Sequence, residues 1–210
     1  FQNNVFKIAV KDPTTVVKRN GATLTGLING SYYAYTSSSA DYIEADKPIM
    51  VAQYMSNGSN CNSGDGDPEM VFLSPIEQGI KVCGFYRTNL QAILSNYITL
   101  IVPTAGLASL RIDGSNTFNH TYAHTNKPGY TVVVKGWSAA KAQSIVQCDS
   151  PFVGVTYGMG GAESYGYNAG TQLNNLNAIP GYYNPADTSN ITVAHPNAFV
   201  KIGRASCRER

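Results

Sequence analysis

The chain has 210 residues and a mass of 22.5 kDa, enough for one medium domain or two small ones with a buried core. Only 13% of its residues are charged, against roughly 25% in ordinary soluble domains, and its 20 glycines and 14 tyrosines suit turns and twisted sheets. The formal charge of +2 rests on residues 202–210, where three arginines face Glu209; the remainder balances 12 basic against 12 acidic residues, which leaves no basic footprint for a nucleic acid.

Residues 1–10 show neither an initiating Met nor the apolar stretch of a secretory leader, so the chain is expected to be a gene fragment from inside a longer protein. The longest strongly apolar run, residues 98–102, is too short to span a bilayer. Runs rich in β-branched and aromatic residues recur at 5–10, 15–18, 31–36, 48–54, 70–73, 82–87, 97–102, 109–112, 130–135 and 152–157. Turn dipeptides punctuate them, among them Asp12-Pro13, Asn20-Gly21, Asn29-Gly30, Asn57-Gly58, Asp113-Gly114 and Pro128-Gly129. Residues 90–94 and 139–147 are each expected to form a short helical turn, but neither sustains an apolar face of helical period. The predicted fold is all-β.

A weak internal repeat sets the unit size. Asp46-Lys47-Pro48 and Asp149-Ser150-Pro151 stand 103 residues apart, 149 minus 46, each leading into an apolar run. That spacing predicts tandem β-sandwich units, jelly-roll or immunoglobulin-like, with a β-propeller-like repeat as the alternative. Residues 1–60 are then the C-terminal part of a first β-unit, 61–180 a second unit, and 181–201 a linker or the start of the next. The tail 202–210 (IGRASCRER) reads like one frame of a sequencing adapter and is expected to be a scar.

Four segments together carry a family resemblance: residues 45–55 (ADKPIMVAQYM), 66–87 (GDPEMVFLSPIEQGIKVCGFYR), 97–114 (YITLIVPTAGLASLRIDG) and 149–170 (DSPFVGVTYGMGGAESYGYNAG). In order and spacing they resemble the N-terminal domain of IgG-Fc-binding proteins across roughly residues 5–178. The motifs Ser74-Pro75-x-x-Gln78, Tyr157-Gly158-x-Gly160 and Ser164-Tyr165-Gly166-Tyr167 resemble the Bacteroidota surface-protein branch more than the mucin-associated one. The resemblance implies a non-enzymatic, β-rich binding or adhesion module, extracellular or on the cell surface and part of a larger protein. Its implied partner is a protein or glycan ligand, with IgG Fc the founding member's ligand. The alternative is a structural spacer or display domain without its own ligand.

The chemistry-bearing residues point the same way. Asp65, Asp67 and Glu69 alternate in a Gly-rich loop, but counted from Asp65 the sixth and twelfth positions are Met70 and Ile76, where an EF-hand needs Gly and Glu. His120 and His124 share a face at helical or strand spacing, yet neither the Glu of a zincin nor a third ligand accompanies them. There is no Gly-x-Ser-x-Gly elbow, and Gly158-Met159-Gly160-Gly161 lacks the Lys-Ser/Thr ending of a phosphate loop. No catalytic residue, cofactor site or metal site is therefore assigned. Cys61, Cys83 and Cys148 are disulfide candidates whose pairing the spacing leaves open. Tyr165 and Tyr167, expected in a loop after the last strong strand, are the ligand-contact candidates, because tyrosine offers a large contact area with few rotors to freeze.

Overall fold

A computed structural model describes residues 3–55, 65–138 and 140–172, all within one compact unit. The first half holds β1 (Asn4–Val10), β2 (Val17–Arg19), β3 (Ala22–Thr23), β4 (Tyr33–Ser37), β5 (Ile43–Ala45), β6 (Ile49–Tyr54) and β7 (Met70–Phe72). The second holds β8 (Ile80–Arg87), β9 (Ile93–Pro103), β10 (Arg111–Ile112), β11 (His120–Ala123), β12 (Tyr130–Ser138), β13 (Ala142–Gly160) and β14 (Glu163–Asn168). Two 3-10 turns, Ile76–Gln78 and Thr104–Ser109, are the helical elements among the described residues. None is long and apolar enough to cross a membrane.

In β1 Phe6, Ile8 and Val10 alternate with Val5, Lys7 and Ala9, and the strand's period of two buries the first set. β1 sits inside a four-stranded antiparallel sheet of order β4-β1-β6-β7. A three-stranded sheet, β3-β2-β5, covers one end of its inner face, where Ile8, Val10 and Val17 form a core with Leu24, Leu27 and Ile49 around them. The hairpin joining β2 to β3 turns on Asn20 and Gly21, both at positive φ (52° and 82°), as a two-residue turn that follows strand twist requires.

A corner between β1 and β6 is pinned electrostatically. Lys47 Nζ lies 2.6 Å from Asp12 Oδ2, and the Thr14 amide donates to Asp12 Oδ1 at 2.9 Å. The Lys47 and Thr14 hydrogen bonds hold the Asp12 carboxyl at about 2, below its ordinary 3.8. A folded-state value below the unfolded one means stability that is present above 3.8 and lost as pH falls toward about 2. Thermal unfolding midpoints are expected to drop across that window, and more shallowly in Asp12→Asn; equal slopes in the two proteins would show the corner to be uncoupled from folding.

The second sheet has seven strands, with β10-β13-β9-β12-β11 in order and β8 and β14 also paired to β13. Its organiser is β13, 19 residues long. Residues 142–147 pair with β8 and β10; the register then slips between Gln147 and Phe152, and residues 153–160 pair with β9 and β14. That irregularity bends the strand, so its two halves close over one core. Phe85 and Val146 from one half meet Ile98, Leu100, Val102 and Val133 from the other, with Phe152 at the bend.

Three expectations need correction. Residues 142–147 are strand rather than helical turn. Ser144 is buried, receiving Arg87 Nε at 3.2 Å, while Ile145 is 40% exposed, an inverted polarity that hides the alternation. Residues 90–94 hold a tight turn, in which Gln91 and Ala92 both take positive φ, running directly into β9. The two Asp-x-Pro sites are not equivalent corners: Asp46 Oδ1 accepts the Val16 amide at 2.8 Å ahead of β6, whereas Asp149 to Pro151 lie at the irregularity inside β13. The expected segments 181–201 and 202–210 lie outside the described residues.

Candidate functional site

Tyr165 and Tyr167 stand on a strand, not in the expected loop. β14 returns along β13 through Gly161 and Ala162, with Ala162 at φ 59°, and pairs Tyr165 with Gly158 and Tyr167 with Thr156. The two rings stack, centroids 6.0 Å apart at 26°. Tyr165 donates its hydroxyl to Oδ1 of fully buried Asn96, and Asn96 Nδ2 in turn donates to the Thr88 carbonyl at 3.1 Å. Tyr167 clamps β8: its oxygen accepts the Tyr86 amide at 2.8 Å and its proton goes to the Tyr86 carbonyl at 2.6 Å. Burial, and then the neighbouring Tyr167, push the Tyr165 phenol up to about 12. Both hydroxyls are thus engaged within the fold, and Tyr167 as a residue keeps 38% of its surface exposed.

The other marked residues are dispersed. Cys83 and Cys148 are buried free thiols, donating to the Gly84 and Gly106 carbonyls, and burial pushes the Cys83 thiol up; Cys61 lies outside the described residues. His120 is exposed on β11 and His124 is buried just beyond it. Among the described residues no three His, Cys, Asp or Glu side chains gather as a metal site. Ser164 Oγ ties the acidic loop to β14 through the Asp67 carbonyl at 2.6 Å.

The structure also assembles a surface that sequence reasoning missed. On the outer face of the first sheet, Lys7 opposes Ala52, which opposes Phe72; Val5 opposes Tyr54, which opposes Met70; and Ala9 opposes Met50. The Lys7 ammonium lies over the rings of Tyr32 and Tyr54, at 4.2 and 4.7 Å from their centroids. Tyr32, Met50, Met70 and Phe72 remain 58%, 52%, 45% and 48% exposed, large apolar side chains on the face that carries Lys7. Single exposed apolar residues are ordinary, but a cluster of them marks a contact surface, and Tyr, Phe and Met are enriched at such surfaces. The available signal was that Met50 and Phe72 belong to strands apolar on both alternating sets, as happens when both faces meet a partner.

No curated protein and no solved structure matches this chain. The family model described as IgGFc binding protein matches residues 1–158, which take in all of the first sheet and nearly all of β13. The chain belongs to the IgGFc binding protein family, and its family membership implies a binding domain.

Proposed function

We propose that this chain is an extracellular, non-enzymatic adhesion module of a larger cell-surface protein that docks a protein partner on the outer face of its first sheet. The observation that carries the reading is the exposed set of Met50, Met70 and Phe72 on the face that carries Lys7, with Tyr32 over its ammonium. Met is unbranched and adapts to irregular partner surfaces, while Phe and Tyr supply area at low entropic cost. The family makes IgG Fc the first partner to test. The bacterial-branch motifs at residues 74–78, 157–160 and 164–167, together with the two large antiparallel sheets, support a β-sandwich module of the kind strung along bacterial surface proteins.

The test is a titration of the folded protein against IgG Fc, with Fab and mucin glycans as comparators. Saturable binding to Fc alone is expected, weakened at least about tenfold by Phe72→Ala or Met50→Ala, since truncating a central apolar contact commonly costs more than ~1.4 kcal/mol. Both positions are half exposed, so circular dichroism and the unfolding midpoint should hold. Absence of binding to all three ligands would favour the spacer reading.

A further inference from the structure

The inner face of the first sheet is covered by the small sheet at one end only. Further along β1, β6 and β7, Phe6, Gln53 and Val71 line a cavity of about 710 Å³ whose opposite wall is Ile101, Val132, Val153 and Val155 of the second sheet. It is partly open to solvent rather than a sealed void. A chamber of this size falls among small-molecule pockets, which run roughly 300–1,000 Å³ and are mostly apolar with a few placed polar groups.

Polar residues line it as well, Asn4, Gln53, Ser74 and Thr99 among them. Asp41, Tyr42, His124 and Lys127 line it together. Asp41 is already engaged: Oδ2 lies 3.1 Å from Arg19 Nε, and Oδ1 accepts Asn20 Nδ2 at 2.8 Å and Ser39 Oγ at 3.0 Å. Burial opposes its ionisation, but these hydrogen bonds and Arg19 outweigh it and hold the carboxyl below its ordinary value. The Lys127 ammonium donates to the Tyr42 hydroxyl at 2.9 Å and lies 4.0 Å from that ring's centroid, and Tyr42, with smaller contributions from Tyr130 and Glu44, raises its pKa.

His124 is only 8% exposed, and its Nδ1 accepts the Asn126 amide at 3.3 Å. Burial disfavours the imidazolium and lowers the His124 pKa, against a hydrogen bond to backbone and the nearby Asp41, which raise it. A largely apolar groove with a lysine ammonium among its lining residues is complementary to a ligand with a long apolar body and one anionic head.

We propose that the cavity between the two sheets binds an aliphatic carboxylate, its chain lying between Phe6, Val71, Val132 and Val153 and its head group meeting Lys127. The site is independent of the docking face, which lies on the opposite side of the same sheet.

The experiment is calorimetric titration of the intact chain with sodium decanoate below its micelle concentration, alongside decyltrimethylammonium, which carries the same chain and the opposite charge. Saturable one-to-one binding of decanoate is expected, with the cation at least about tenfold weaker. Lys127→Met should weaken decanoate by about tenfold, the worth of one charge-assisted contact near 1.4 kcal/mol, and Val155→Trp should abolish binding by filling the chamber. Should Val155→Trp fail to fold, methyl NMR of the unsubstituted protein decides: decanoate is expected to shift Ile101, Val132 and Val153. No saturable heat, equal binding of the cation, or shifts confined to other methyl groups would each overturn the proposal.

Discussion

Phe152→Ala is expected to destabilise the protein by about 3–5 kcal/mol, the cost of removing a fully buried aromatic ring. Phe152 is 1% exposed and sits where β13 leaves β8 and joins β9, so its ring fills the inside of the bend rather than one face of a flat sheet. The surroundings have little room to collapse onto the hole, because an added Cβ on Gly79 would already lie 3.0 Å from Pro151 Cβ and 3.2 Å from the Phe152 amide nitrogen. Domains hold roughly 5–15 kcal/mol in total, and each kcal/mol shifts the midpoint of a domain this size by about 2–4 °C. Urea and thermal unfolding should therefore show a fall of roughly 10 °C with an unchanged m value. A shift as small as that of half-exposed Phe72→Ala would mean that the two halves of β13 do not close over a common core.

The elements that were legible in the sequence are those whose alternation matches their burial. Residues 5–10 were placed almost to the residue, since the buried positions of β1 are Phe6, Ile8 and Val10 at a period of two. Residues 142–147 were not, since a polar Ser144 points inward to serve Arg87 and an apolar Ile145 points outward. Arg87 itself is 7% exposed, its guanidinium 4.3 Å from the centre of the Trp137 ring, so a buried cation supplies the demand that makes a buried serine worthwhile. β14 read as a loop because glycine and serine interrupt its tyrosines, although the pairing to β13 supplies what local propensity lacks.

Site residues followed a different logic. The family resemblance was legible from short motifs, yet the outer-face cluster depends on register: in strands apolar on both sides, a one-residue slip exchanges Met50 and Phe72 for Val51 and Val71. The cavity depends on more distant relations still. Its walls come from β1, β6, β7, β9, β12 and β13, and no local pattern marks the spacing between two sheets.

Tyr165→Ala is expected to cost about 2–3 kcal/mol, somewhat less than a fully buried aromatic, and the larger part of that cost should be shared with Gly158. An added Cβ at Gly158 would run into the Tyr165 ring, so the glycine is the seat on which the ring lies. Gly158→Ala alone should then cost about 1–3 kcal/mol by overpacking. In the Tyr165→Ala background the same change meets no ring and should cost well under ~1 kcal/mol, a coupling that a double-mutant cycle in urea reads directly. Tyr165→Phe keeps the ring but strands the buried Oδ1 of Asn96, for about 1–3 kcal/mol. At about 2–3 kcal/mol, Tyr165→Ala is expected to leave the domain folded, which makes it the variant in which to measure ligand affinity. Unchanged affinity alongside strong coupling to Gly158 assigns Tyr165 to bracing β14 against β9; additive costs would free the ring from its seat and restore it as a ligand contact.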